Sequence, residues 1–333
     1  MKQTGISGLM QRMIRMTDEL KKKFIGGMIG AAVGDALGAP YEFQGRNQVG
    51  RYFNIDSHKN LLYTDDTQLM IALAESIVEN GDDFARSFGA KLVKWAEKMS
   101  NDANAFMRKP GSACMAGAKK FSEGKSPESC GIEGALGDGA AMRIIPIGLF
   151  YDAKEISLNA KRSSELTHRD PRIYTSSSAL AYAISKLKNS DRDNFNPFKF
   201  LDELVEYSDE CESQFGRKEK WNFSDALKDM KNSYPSRAFI GRTENIGRCF
   251  DTVPLAIYCF LLHPYDFTKA VSEAVLLGKD TDTSACITGG MSGTFNGIDA
   301  IPEKLIQKLE DREKIVNLAS ALFEKYKSKL LKV

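Results

Sequence analysis

Histidine is scarce: His58, His168 and His263 are the only three in 333 residues, and none shares a ligand spacing with another histidine or with a cysteine. That disfavours zinc, whose sites are assembled from such pairs. The six cysteines, at 114, 130, 211, 249, 259 and 286, are scattered without a CxxC pair, which fits reduced thiols better than a disulfide framework. Net charge is nearly absent as well. Forty-six Lys and Arg face 44 Asp and Glu, leaving +2, so there is no global electrostatic footprint for nucleic acid or for a membrane surface. No apolar run approaches the ~20 residues that cross a bilayer. The opening "MKQTGISGLMQRMIRMTDELKKK" lacks the continuous apolar core of a secretory leader, and Asp18 and Glu19 argue against a mitochondrial presequence. We therefore expect a cytoplasmic protein, monomeric, with residues 1–23 as an extension ahead of one domain at 24–333.

What is present reads as helix almost throughout. Leu69, Met70, Leu73 and Ile77 share one face, with Gly81 placed as a C-terminal cap. Similar patterns recur over 176–189, 200–210, 266–278 and 313–331. The nearest approaches to strands are "GRYFNI" and "AMRIIPIG", the second equally readable as helix. The expected class is all-α, a compact single-domain orthogonal helical bundle. Gly26, Gly30, Gly34 and Gly38 recur every four residues and stack on one side of a helix, as do Gly289, Gly293 and Gly297. Each internal glycine costs about 1 kcal/mol relative to alanine, so close packing of backbone on backbone is the expected compensation.

Two short acidic clusters carry the chemistry. "YTDDTQLM" places Thr64, Asp65 and Asp66 at the start of one helical run. "GKDTDTSAC" places Asp280, Asp282 and Thr283 at the start of another. Each alone is an ordinary helix-capping sequence. Together, Asp65, Asp66, Asp280 and Asp282 would bring four negative charges into one cleft, which two divalent cations would balance, with threonine hydroxyls completing the oxygen shells. Hard oxygen ligands suit magnesium, manganese or calcium.

The segments "GMIGAAVGDALGAPYEF", "YTDDTQLM", "GDGAAMRIIPIGLF", "SELTH" and "GKDTDTSACITGGMSGTFNG" occur in the order found in the ADP-ribosylglycohydrolase family. The resemblance runs from about Phe24 to about Lys304. It implies an all-α fold, a centre of two Mg2+ or Mn2+ ions, and hydrolysis of the bond joining ADP-ribose to an acceptor. Carried over by motif, Thr64, Asp65, Asp66, Asp280, Asp282 and Thr283 would be the metal set, and Glu42 a glutamate near the metals, either ligand or acid/base. Glu42, or Asp66 through a metal-bound water, is then the candidate catalytic carboxylate. The loop of Gly137, Asp138, Gly139, Ala140, Ala141 and Met142 lies against the diphosphate. His168 stands near the ligand, and Gly111 and Ser112 near the far ribose. Glycines 137 and 139 independently permit a close backbone approach to phosphate, whereas Arg143 reads either as a phosphate partner or as the partner of a buried acid.

The implied reaction removes ADP-ribose from a modified protein side chain, arginine or serine, by cleavage at the anomeric carbon. A catalytically silent ADP-ribose-binding homologue and a metal-dependent phosphohydrolase are the alternatives from other classes. Three departures from the family pattern bear on the acceptor. Lys279 stands where a glycine is usual, Asp138 where small or amide residues are common, and Arg248 where an aromatic residue is frequent.

Overall fold

The computed structural model describes residues 3–101 and 105–331. Eight helices organise it: α1 (Gln3–Gly38), α2 (Asp65–Asn80), α3 (Ser112–Ser122), α4 (Pro171–Asn189), α5 (Cys249–Leu262), α6 (Phe267–Val275), α7 (Thr281–Asn296) and α8 (Arg312–Leu330). Among the described residues the sole paired strands are β1 (Ile132–Glu133) and β2 (His168–Arg169), two residues each and parallel. The all-α expectation holds. Both strand-like runs resolve otherwise: the start of "GRYFNI" lies in the helix Arg46–Tyr52, and "AMRIIPIG" feeds the helix Ile145–Phe150. Gly81 caps α2 as expected, at φ 58, with its N–H on the Ile77 carbonyl.

The centre of the molecule is the contact between α1 and α7. From Gly26 to Gly38 every residue of α1 is buried, and so is α7 from Thr281 to Phe295. Helices buried on all sides belong in a core. The glycines determine how close these two come. A Cβ built on Gly34 would lie 2.0 Å from the Ala285 carbonyl oxygen, one on Gly30 2.3 Å from that of Gly289, and one on Gly293 1.9 Å from that of Gly26. Backbone touches backbone along three turns, and the dispersion attraction across so close a seam offsets the helix cost of the glycines. The outer helices α4, α5, α6 and α8 pack around this pair.

Residues 3–23 continue the same helix that enters the core, so α1 runs unbroken through the boundary expected at residue 24; residues 1 and 2 lie outside the described region. No helix among the described residues is long and apolar enough to cross a membrane.

Candidate functional site

The close helix pair brings its functional ends together. Thr281 Oγ1 donates to the Gly38 carbonyl at 2.8 Å, so the N-terminus of α7 is pinned beside the C-terminus of α1. The chain leaving α1 makes the short turn Ala39–Tyr41 and presents Glu42. Oxygens of Glu42, Asp280 and Asp282 consequently lie within 4.8 Å of one another.

The other acidic cluster is placed by a residue absent from the sequence reading. Asp35 is the lone charged side chain between Lys23 and Glu42, and it is fully buried. Its Oδ1 accepts from Thr64 N at 3.0 Å and Thr64 Oγ1 at 2.9 Å, and its Oδ2 from Thr67 N at 3.1 Å and Thr67 Oγ1 at 2.6 Å. One carboxylate thus satisfies orphan N–H groups of the first turn of α2 from outside the helix, while Thr64 acts as N-cap toward Asp66 N. Asp35 is what aims Asp65 and Asp66 at the α7 terminus. The signal that could have revealed it was an isolated acid inside an apolar, glycine-rich helix.

These groups open into a cavity of about 540 Å³ whose wall includes Glu42, Asp65, Asp66, Asp138, Asp280, Asp282 and Thr283. Gly111, Ser112, Gly137, Gly139, Met142 and His168 line it too. Ala140 and Ala141, expected in the diphosphate loop, are buried behind the wall and do not line it. Thr64 is also set back, its hydroxyl donated to Asp35. Gly111 N donates to Asp65 Oδ2 at 3.0 Å, which ties the start of α3 to the acidic cluster.

Three buried aspartate oxygens in this wall have no hydrogen-bond partner: Asp66 Oδ2, Asp138 Oδ2 and Asp282 Oδ1. Buried polar atoms are ordinarily paired, and hard, orphaned oxygens on the wall of one cavity are the donor type a divalent cation takes. Burial pushes Asp65, Asp66 and Asp280 well above the usual carboxylate range, and neighbouring carboxylates add to it. Glu42 is pushed up to about 7, by burial first and then by Asp282. Lys109, a second residue the sequence reading passed over, opposes this from 2.6 Å, and its Nζ is also 3.6 Å from Asp282. Asp138 proves to belong with the acids. Its charge raises Asp280, and it lines the same cavity as the other acids, between Gly137 and Gly139.

One further expectation changes. Arg143 contacts neither cavity nor acid. It is fully buried, donating to Gly139 O at 2.7 Å, Ser163 O at 2.9 Å and Thr167 Oγ1 at 2.8 Å, with its guanidinium 5.1 Å over Phe88. It is a brace holding the 137–143 loop against Ala153–Glu165. His168 does line the cavity, beside Gly139, with Nδ1 bonded to Thr167 Oγ1 at 2.8 Å. Burial, reinforced by Arg143, lowers it to about 3, so it is a neutral imidazole.

The sequence pattern of the ADP-ribosylglycohydrolase family matches residues 16–330. The chain belongs to the ADP-ribosylglycohydrolase family. Membership indicates an ADP-ribosyl hydrolase. The chain is 27% identical to the ADP-ribosylhydrolase ARH3 of Xenopus tropicalis, covering 84% of this chain and 89% of the relative. It is 25% identical to the ADP-ribosylarginine hydrolase Tri1 of Serratia proteamaculans, over 90% of this chain and 78% of that one. A solved structure described as an ADP-ribosylglycohydrolase-related protein complex superposes with a TM-score of 0.73 at 23% identity, covering 93% of this chain and 99% of the other. At that identity the superposition speaks for the fold.

In this ADP-ribosylglycohydrolase the three departures take definite positions. Lys279 is exposed at the cavity rim at φ 63. Arg248 bridges to Gly137 and lays its guanidinium 4.9 Å over Phe250, with Trp221 stacked on the same ring. Asp138 adds a carboxylate to the acidic wall.

Proposed function

We propose that this chain is a Mg2+- or Mn2+-dependent hydrolase that removes ADP-ribose from a modified acceptor by breaking the glycosidic bond at the anomeric carbon. The observation that carries the reading is the set of unpartnered buried oxygens on Asp66, Asp138 and Asp282 around one cavity, in a chain whose family acts on ADP-ribose linkages.

Asp65, Asp66, Asp280, Asp282 and Thr283 are the groups that would hold two divalent cations, with Thr64 kept in place behind them by Asp35. Bound there, the cations supply charge compensation and Lewis-acid polarisation at the scissile ribose. The chain's own residues do the rest. Gly137 and Gly139 keep one wall free of side chains where a diphosphate would pass. His168, neutral and buried, offers a ring nitrogen without adding charge.

Glu42 stands half-buried beside Asp280 and Asp282, with Lys109 Nζ 2.6 Å away, placed to take up a proton and give it back. In the proposed reaction Glu42 accepts a proton from the attacking water as its oxygen bonds to the anomeric carbon. The bond to the acceptor heteroatom breaks with its electron pair leaving on the acceptor, and the same carboxyl returns a proton to it, through an oxocarbenium-like state. Asp66 is the second candidate for this role. ADP-ribose and the free acceptor are the products.

The deciding experiment incubates the protein with ADP-ribosylated peptides in magnesium, in manganese and in chelator, and identifies the product. Metal-dependent release of intact ADP-ribose supports the reading. AMP as product means a phosphohydrolase, and ADP-ribose binding without turnover means a silent homologue.

A further inference from the structure

The geometry points to Phe43, Ile246 and Lys279 as the surface that reads the acceptor polypeptide, favouring one whose residues beside the modified side chain are acidic and apolar over one that is basic. This rests on the hydrolase reading above: if Glu42 returns the proton to the acceptor heteroatom, the acceptor lies at the Glu42 end of the cavity.

Phe43 follows Glu42 directly and Lys279 precedes Asp280 directly, so each rim residue is one peptide bond from an acid of the three-oxygen cluster. The two segments are clasped by reciprocal backbone bonds: Phe43 N donates to Lys279 O at 2.6 Å, and Lys279 N to Gln44 O at 2.6 Å. Ile246 is tied in next to them, since Asp280 N donates to Asn245 O at 3.2 Å and Asn245 Nδ2 reaches back to Gly278 O at 2.9 Å. The rim is therefore a fixed feature of the site, built from three segments.

Its chemistry is distinctive. Of the residues lining the cavity, four are exposed: Phe43, Ser112, Ile246 and Lys279. Phe43 is 78% exposed and Ile246 43%. Every acid of the wall is buried or half-buried at the base, so lysine is the one charge among the exposed four. Phe43 and Lys279 both hold the left-handed backbone, at φ 66 and 63, a conformation that side chains with a Cβ adopt at a cost. Glycine would fit either position without strain, yet a large ring and a long cation stand there, facing solvent at the mouth. An apolar ring, an aliphatic side chain and a single positive charge together match a peptide with an apolar and an acidic residue beside its modified side chain.

The test uses two peptides ADP-ribosylated at the same residue and differing at flanking positions, glutamate in one and lysine in the other. With metal-loaded wild-type protein, kcat/KM is expected to be about threefold higher for the glutamate peptide, and the gap to close at high salt, as for an exposed charge pair. Lys279→Glu should reverse the order. Lys279→Gly, which keeps the left-handed backbone without strain, should erase it. Equal rates on both peptides in wild type, or a preference unmoved by either substitution, overturn the rim assignment alone. Release from neither peptide overturns the hydrolase reading, and the rim assignment with it.

Discussion

Asp35 grips Thr64 twice through one carboxylate oxygen, taking both its backbone N–H and its hydroxyl, at 3.0 and 2.9 Å. An acid in the middle of the central helix is thereby the anchor for the start of another, and the pair sets where Asp65 and Asp66 stand.

Replacing Asp35 by asparagine leaves the volume unchanged but turns an acceptor oxygen into an N–H2 group facing a donor. The expected outcome is a loss of about 2 kcal/mol of stability for a buried mismatch of this kind, read by urea denaturation. Metal-dependent stabilisation should weaken in parallel, because α2 loses its outside support. Unchanged stability would remove Asp35 from its anchoring role.

Magnesium or manganese should raise the unfolding temperature, since a ligand that binds only the folded state stabilises it by mass action, by about 2.7 kcal/mol at a hundredfold excess over Kd. Asp66→Asn and Asp282→Asn should lose that response. In chelator the same variants should be as stable as wild type or more so, because each removes a buried charge among like charges. Thermal melts with and without metal separate the two effects.

The helix seam makes an unusual sign prediction. Gly→Ala inside a helix ordinarily stabilises. Gly34→Ala should instead destabilise by about 3 kcal/mol, as overpacking does, since its Cβ would meet a backbone oxygen at 2.0 Å with no rotamer to relieve it. Gly50→Ala is the control. That glycine lies in the helix Arg46–Tyr52 with nothing within 4 Å of a built Cβ, and the substitution should add a few tenths to about 1 kcal/mol.

His168 should make the fold acid-sensitive. Its folded pKa of about 3 lies below the ordinary value of 6.5, so the unfolded chain binds the proton first. Stability is then complete above about pH 6.5 and falls as pH drops toward 3. Comparing wild type with His168→Asn between pH 7 and 4, the wild type should lose stability more steeply, by up to about one proton in the slope, amounting to a few kcal/mol. Parallel profiles would mean the imidazole stays accessible to protons.

Most of the helices and both acidic clusters were legible because local pattern carried them: Leu69 to Ile77 show a buried face, and Thr64 and Asp280 stand where helices begin. The four-residue glycine spacing likewise foretold the seam between α1 and α7. Positions settled by distant contacts were not legible. Arg143 looked available to phosphate or to an acid, and only the carbonyls of Gly139 and Ser163, with the Thr167 hydroxyl, decide against both. Asp138 was read as part of a loop, and the fold of that loop turns it into the acidic wall. β1 and β2 are two residues long, too short for an alternation to register. Lys109 reaches Glu42 from a segment with no periodicity.

The glycine seam also bears on how such a site could change. Side chains at an ordinary helix interface can repack and let the helices drift, but here the gap is measured by main-chain atoms in contact. The separation of the Glu42 and Asp282 ends is thus gauged by polypeptide thickness itself. Phe43 and Lys279 stand above it with exposed side chains, so on the proposed rim reading a change of acceptor would need changes at the mouth and none in the spacing at the floor.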